Sequence, residues 1–350
     1  MAERRNLRLA ASTGLAEWLG RVDASLVFAL PPNKLVFVGR DAEDRLAVHE
    51  RTFDKAMGLA AEGTDRVWVA TRSHLWRLEA TALTDDDIAE GNDRRFVPRQ
   101  ALTTGYLNAH DLTVGRDGAV TFVATRFSCL ARPSEERSFE LVWRPPWLAA
   151  EPFGPGDRCH LNGLAEDDAG PAFASSVSTS TAVESWRDVR AGGGVVVHIA
   201  SGSIVAAGLS MPHSPRLDGA GGLWVTNSGT GHLCRVDPNT STWDPVAWAP
   251  GFLRGLTMHG EYAVAGSSLP REGSLYGGLG LDDELATRGL KPRLGVFVFH
   301  VPTGQVVEWL FVEGAAREVY DVTVLPGVRR PSAVGLVGAD LRDEIPLVPA

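Results

Sequence analysis

Apolar residues in this chain fall in short β-rich runs, separated by turns of Gly, Pro, Asn and Asp. Stretches with helical periodicity are scarce, and Asp282 to Arg288 is one short candidate inside a loop. One pattern recurs six times: a short motif with an apolar position, a turn, then a β-rich segment ending in small residues. The motifs are Met57-Gly58-Leu59-Ala60, His110-Asp111-Leu112-Thr113, Asn162-Gly163-Leu164-Ala165, His213-Ser214-Pro215-Arg216, Arg254-Gly255-Leu256-Thr257 and Tyr320-Asp321-Val322-Thr323. The segments that follow are 66–71, 120–125, 171–175, 222–227, 261–266 and 331–335. The copies recur about every 53 residues, somewhat longer than typical blade repeats of roughly 40–50 residues.

Six such units predict an all-β fold, a six-bladed β-propeller. After the sixth copy only enough chain remains for about two strands. The segments 26–30, 34–39 and 45–50 precede the first copy. They are predicted to complete the C-terminal blade, which closes the ring and removes exposed edges. The propeller is expected over residues 25–340, after an N-terminal tail or short helix (1–24) and before a C-terminal tail (341–350). A β-sandwich is the weaker alternative, because six copies are hard to place in two sheets.

Inner strands of a propeller surround one channel, so the residue opening each copy joins a ring of Met57, His110, Asn162, His213, Arg254 and Tyr320. Gathering two imidazoles, an amide, a guanidinium and a phenol is costly unless they are solvated, paired or bound to something. Residues two earlier in the chain, Asn108, His160 and Glu318, can share the face of His110, Asn162 and Tyr320. Strand parity is open at this stage. Asp111 and Asp321 stand one residue beyond the ring. Second strands end on the same face as the ring, and insertions are read at 126–138, 177–194 and 269–293. Loops this long suggest a lid over the channel mouth, with Trp186-Arg187 and Arg271-Glu272 as its contacts.

The formal net charge of −9 supplies no basic stripe, which argues against nucleic acid and acidic membranes as partners. No apolar run reaches the length of a membrane span. Three cysteines, Cys129, Cys159 and Cys234, cannot form a disulfide framework, and a reducing, cytoplasmic setting is expected. They have no closed zinc-site spacing and are read as buried thiols. The run Asp85-Asp86-Asp87 is read as a solvated loop. No strand, glycine loop and helix succession offers a nucleotide cradle, and no GxSxG elbow is present.

The segments RCHLNGLA (158–165), GLSMPHSPR (208–216), NSGTG (227–231), RGL (254–256), PRE (270–272) and YDV (320–322) resemble a family of bacterial conserved hypothetical proteins known only as a domain of unknown function. The resemblance runs from about Leu26 to about Gly335. Asn108 stands where that family's pattern has an acidic residue. More distantly, LWVTNSGTGHLCRVDPNT (223–240) is similar to blades of virginiamycin B lyase and gluconolactonase-like propellers. Their likeness implies a divalent cation or a catalytic histidine over the channel. Of the glutamate, asparagine and aspartate ligands in the gluconolactonase-like enzymes, only Asn162 has a counterpart in the ring.

The resulting expectation is an enzyme of lyase, isomerase or hydrolase type, with metal-dependent redox chemistry as a further option. Its substrate would be a small polar metabolite or a peptide side chain with an anionic group. His110, His213, Tyr320 and Asp111 are the candidate catalytic residues. Arg254, Arg216, Asn162, Arg126, Asn227, Arg271 and Trp186 are candidates for substrate binding. His110, His160 and His213 are candidate ligands of one divalent metal ion. The alternative is a non-catalytic scaffold that docks a peptide or protein on the loop face, through Tyr276, Leu275, Trp186 and Phe127. Oligomeric state is left open.

Overall fold

The structure is a computed structural model and describes residues 8–270, 277–336 and 341. Six small antiparallel sheets follow one another around an axis, each with its first strand innermost. Blade one runs through Leu59–Glu62, Arg66–Ala70, His74–Thr81 and Arg94–Thr103. Blade two uses Ala109–Val114, Val120–Ala124, Cys129–Arg132 and Glu140–Trp143. Blade three uses Leu161–Asp167, Gly170–Ser176, Gly194–His198 and Ile204–Leu209. Blade four uses Pro212–Leu217, Leu223–Asn227, His232–Asp237 and Thr242–Trp248. Blade five uses Phe252–His259, Tyr262–Ser268, Gly295–His300 and Gln305–Glu313.

Blade six closes the ring. Its inner strand Asp321–Pro326 pairs with Ala24–Leu30, which pairs with Lys34–Arg40 and then Leu46–Thr52. Three of its four strands thus come from the start of the chain. Val27, Ala29, Leu35 and Phe37 pack toward blade one, and Leu26, Phe28, Val36 and Val38 toward blade five. This alternation is the period-two pattern of a strand buried on both faces.

The ends of the chain depart from expectation. Residues 331–335 do not form the second strand of blade six. Pro331–Ala333 lies parallel to Arg94–Thr103 on the outer edge of blade one. Within the segment read as a tail or short helix, Arg8–Ala11 adds a fifth strand to blade five by pairing with Gln305–Glu313. The helix Leu15–Arg21 then buries Leu15, Trp18 and Leu19 against blades five and six. Both additions cover outer edges that would otherwise offer unpaired backbone groups. The Asp85 run is also not a loop. It begins the helix Asp85–Glu90, where Thr84 and Asp87 form a reciprocal cap.

Between blades the inner strands are joined by side-chain oxygens accepting from the next blade's backbone. Asp111 Oδ2 accepts from Leu164 N at 3.1 Å, Ser214 Oγ from Gly255 N at 3.1 Å and Asp321 Oδ2 from Leu59 N at 2.8 Å. Opposite each latch stands a glycine. A Cβ on Gly255, whose φ is +74°, would lie 2.5 Å from Asp321 Cα, and one on Gly163 would lie 2.4 Å from Pro215 Cδ. The second ring therefore alternates Gly58, Asp111, Gly163, Ser214, Gly255, Asp321 for a packing reason: each polar residue needs a bare neighbour.

Candidate functional site at the channel mouth

Inner strands of blades two to five each carry a bulge where the channel opens. His110 and Asp111 together face Val123, Asn162 is the extra residue of blade three, Ser214-Pro215 of blade four and Gly255 of blade five. A bulge breaks strict alternation and re-aims side chains. It settles the parity: His110, His213, Arg254 and Tyr320 line a cavity of about 430 Å³, while the residue after each turns away into the blade contacts.

A second device sits two residues before the ring. Lys55, Asn108, His160 and Met211 all have left-handed φ, between 48° and 56°. All four line the cavity. The turn also aims a backbone carbonyl at the imidazole that follows. Asn108 O lies 2.8 Å from His110 Nδ1, and Met211 O lies 2.9 Å from His213 Nδ1.

Hydrogen-bond accounting fixes both tautomers. Thr125 Oγ1 donates its one proton to Leu161 O, so it accepts from His110 Nδ1 at 2.9 Å. Thr226 Oγ1 donates to His213 O, so Ser228 Oγ donates to Thr226 and accepts from His213 Nδ1 at 3.0 Å. Both rings carry the proton on Nδ1 and leave the Nε2 lone pair for the cavity. Burial holds both imidazoles well below the usual histidine range, and the nearby Arg254 charge adds to this.

His160 is bound differently. Its Nδ1 meets Asp157 Oδ2 at 2.7 Å, and its ring stacks on Trp186 with centroids 4.1 Å apart. The His110 ring lies 5.0 Å from His160, 6.5 Å from His213 and 6.3 Å from Tyr320. Among the described residues no three His, Cys, Asp or Glu side chains are grouped to hold a metal ion.

Arg254 is 4% exposed, and its guanidinium carbon lies 3.9 Å from the centre of the Tyr320 ring. Its Nη2 is buried without a hydrogen-bond partner among the described residues. Among the described residues the wall has two carboxylates, and both are engaged: Asp157 with His160, and Glu184 with Arg187 at 2.5 Å. Among the described residues no carboxylate pairs with Arg254.

The lid is made differently from the expectation in blade two. A tight 3-10 turn at Thr125–Phe127 joins its second and third strands, so 126–138 is not one insertion on this face. The long segment there is 144–160, after the outermost strand, and it supplies Asp157 and His160. The blade-three insertion supplies Glu184, Trp186 and Arg187. It packs on the blade-five insertion through Val177, Trp186, Leu279, Leu281 and Leu285.

Asp111, Arg216, Asn162, Asn227 and Arg126 fall outside the cavity wall. Asp111 and Arg216 form a two-pronged ion pair, with both contacts at 2.8 Å, and Asp111 is 1% exposed. They bind blades to each other and do not line the mouth. Asn162 Oδ1 accepts from Ser175 Oγ while its Nδ2 is buried without a partner among the described residues, and Asn227 Oδ1 accepts from Ser210 N; neither residue lines the cavity. Arg126 stands outside the wall, over the Tyr106 ring. Arg271, Glu272, Leu275 and Tyr276 lie outside the described residues. Trp186 is 1% exposed and backs His160, which removes it as an exposed docking residue. Phe127 packs with Phe139 and Phe153. Burial pushes the thiols of Cys129 and Cys234 up to about 12 and that of Cys159 up to about 11. Lys55, Tyr106, Asp157 and Glu184 were not anticipated. Lys55 was accessible to the reasoning that found His160, since it too precedes its ring residue by two.

Comparison with known proteins bears on the family and the fold. Residues 13–334 match the family model described as a domain of unknown function, DUF4915. No curated protein matches the chain. A solved nidogen/laminin complex contains a chain that is 11% identical, with 87% of this chain and 99% of that one covered and a TM-score of 0.53. A virginiamycin B lyase from Staphylococcus aureus is 11% identical, with coverage of 75% and 96% and a TM-score of 0.40. A protein of unknown function from Bacteroides caccae is 9% identical, with coverage of 88% and 100% and a TM-score of 0.47. These likenesses concern the fold. No helix among the described residues is long and apolar enough to cross a membrane.

Proposed function

The chain belongs to the DUF4915 family, and from its channel mouth we propose an enzyme that performs proton-transfer chemistry, of lyase or isomerase type, on a small anionic metabolite. The observation that carries this reading is Arg254, a buried guanidinium with no acid partner among the described residues, on the same wall as two imidazoles with open Nε2 lone pairs. A buried charge without a partner is costly, and an anionic ligand group removes that cost. The Tyr320 ring holds the guanidinium from beneath.

His110 and His213 are neutral acceptors and suit the role of general base. His160 differs, because Asp157 can stabilise positive charge that develops on the ring when Nε2 takes a proton. One wall thus contains imidazoles in two environments, as proton abstraction at one atom and delivery at another require. The cavity volume suits a small molecule. Docking a protein partner is less well supported, since Trp186 is buried within the wall.

A divalent ion on His110, His160 and His213 is a secondary reading, because the rings do not form a ligand group in this conformation. Elemental analysis of purified wild-type protein and a His110→Gln/His213→Gln variant tests it. A stoichiometric ion lost in the variant would establish the metal.

The main reading is tested by thermal shift against a panel of small carboxylates and phosphates, using wild type and Arg254→Met. Binders should raise the wild-type melting temperature and leave the variant unmoved. Those binders are then assayed for turnover. His110→Gln and His213→Gln should each lose about 100-fold or more, the usual contribution of a general acid or base. Binding unaffected by Arg254→Met, or turnover unaffected in both histidine variants, overturns the assignment.

A further inference from the structure

The mouth has a second cation without an acid partner. Lys55 Nζ is held at 3.0 Å from Tyr106 Oη and 3.1 Å from Asn108 Oδ1, both neutral groups. It also lies 4.8 Å from the centre of the Tyr106 ring. No carboxylate among the described residues pairs with it. Its position is built, because the left-handed turn that presents Asn108, His160 and Met211 to the cavity also presents Lys55.

The two cations stand apart. Arg254 comes from the inner strand of blade five and Lys55 from the entry to blade one, with Tyr320 of blade six between them. Arg254 stacks on Tyr320, Tyr320 lies beside His110, and the Asn108 carbonyl that holds His110 belongs to the residue that holds Lys55. A single anionic group at Arg254 leaves Lys55 with only neutral partners. A ligand with anionic groups at both ends would meet both cations and pass Tyr320, with His110 beside it.

We propose that the ligand of this mouth is a small dianion, with one anionic group on Arg254 and the second on Lys55. This rests on the reading above that Arg254 receives an anion. Carboxylate and phosphate share the required chemistry, because each accepts charge-assisted hydrogen bonds from either cation. The buried planar fork of Arg254 suits the inner group, and the flexible Lys55 accommodates ligands of different length.

The test is calorimetric titration of the intact chain with two probe series. One comprises acetate, malonate, succinate, glutarate and adipate, and the other comprises methylphosphonate and phosphonocarboxylates of matching lengths. The best dianion should bind wild type roughly tenfold or more tightly than its monoanion, as expected for one added charge-assisted contact. Lys55→Met should abolish that excess, and so should Lys55→Gln, which keeps a polar head; melting curves verify that both are folded. The series with the larger excess identifies the second group as carboxylate or phosphate. No dianion preference in wild type, or a preference that survives both Lys55 variants, overturns this proposal. If anions bind but Arg254→Met does not weaken them, the reading of Arg254 fails, and the proposal fails with it. If anions bind through Arg254 and Lys55 is indifferent, only the dianion is lost. If neither series binds, both are overturned.

Discussion

Neighbouring residues in this chain have opposite fates at the axis. His110, His213, Arg254 and Tyr320 open onto a cavity with hydrogen-bonding capacity left over. Asp111, Ser214, Gly255 and Asp321 follow them one by one and form the contacts between blades. Both rings are polar and nearly fully buried, so polarity at the axis does not mark a site. Satisfaction distinguishes them. Asp111 accepts from two backbone N–H groups and both prongs of Arg216, whereas Arg254 rests on the Tyr320 ring and its Nη2 has no hydrogen-bond partner among the described residues. The comparison teaches that function is to be sought where a buried group lacks its partner.

The sharpest way to break the comparison is to remove one member of each ring. Asp111→Ala leaves Arg216 buried without its carboxylate and strips acceptors from Leu112 N and Leu164 N. It should cost about 3–5 kcal/mol of unfolding free energy, the usual penalty for breaking a buried pair. Arg254→Met should cost nothing in stability, or should stabilise, because a desolvated charge with no acid partner among the described residues is replaced by an apolar side chain. Urea unfolding of the two variants gives both values. Similar losses in both would erase the distinction between latch and site.

The rings should also titrate in opposite directions. Burial and the Arg254 charge depress His110 and His213, so the unfolded chain binds more protons than the folded one below about 6.5. Their contribution is complete above that pH and is lost as the pH falls. Asp321 is pushed up to about 8 by burial and by the neighbouring Asp111 carboxylate, against Arg216 and two backbone N–H groups that favour its ionised form. Its folded state binds the extra proton, so its contribution is complete below the ordinary carboxylate range and is lost as the pH rises toward 8. A slope of up to about 1.4 kcal/mol per pH unit belongs to each group, and stability should peak where the two limbs meet. Melting temperatures across this range check the shape. His110→Gln/His213→Gln should flatten the acid limb, and Asp321→Asn should flatten the alkaline limb. A wild-type profile that is level between pH 6.5 and 8 would remove Asp321 from this role.

The blade count and the N-terminal closure were legible because they rest on the period of apolar runs, which every blade repeats. Four of the six ring positions, His110, His213, Arg254 and Tyr320, were legible for the same reason, whereas Met57 is buried in the contact between blades one and six and Asn162 stands outside the wall. Parity was not, because bulges at Asn162, Ser214-Pro215 and Gly255 break the alternation that would have revealed it. Asp111 and Arg216 resembled site residues because their mutual pairing joins positions 105 residues apart, which no local pattern encodes. Asp157 was hidden for a related reason: it lies on an irregular segment that no repeat predicts, at φ 26°. Residues 331–335 imitate a second strand in sequence, but that place in blade six is already taken by Ala24–Leu30.

The smallest expected effect separates the two ends of the channel. The opposite face has a larger hollow, about 730 Å³, lined by Arg116, Glu166, Asp167, Asp168 and Asp218. Its one cation among the described residues is already paired: Arg116 meets Asp168 at 2.6 Å, with side chains 78% and 74% exposed. Water and salt screen such a pair, so Arg116→Ala should change stability by about 0.5 kcal/mol or less. Size alone would favour this hollow, while unmet charge favours the mouth lined by Arg254. Anions that bind wild type should therefore bind Arg116→Ala with unchanged affinity, measured by the same titration used for Arg254→Met. Loss of binding in Arg116→Ala would transfer the site to the other face and reverse the comparison.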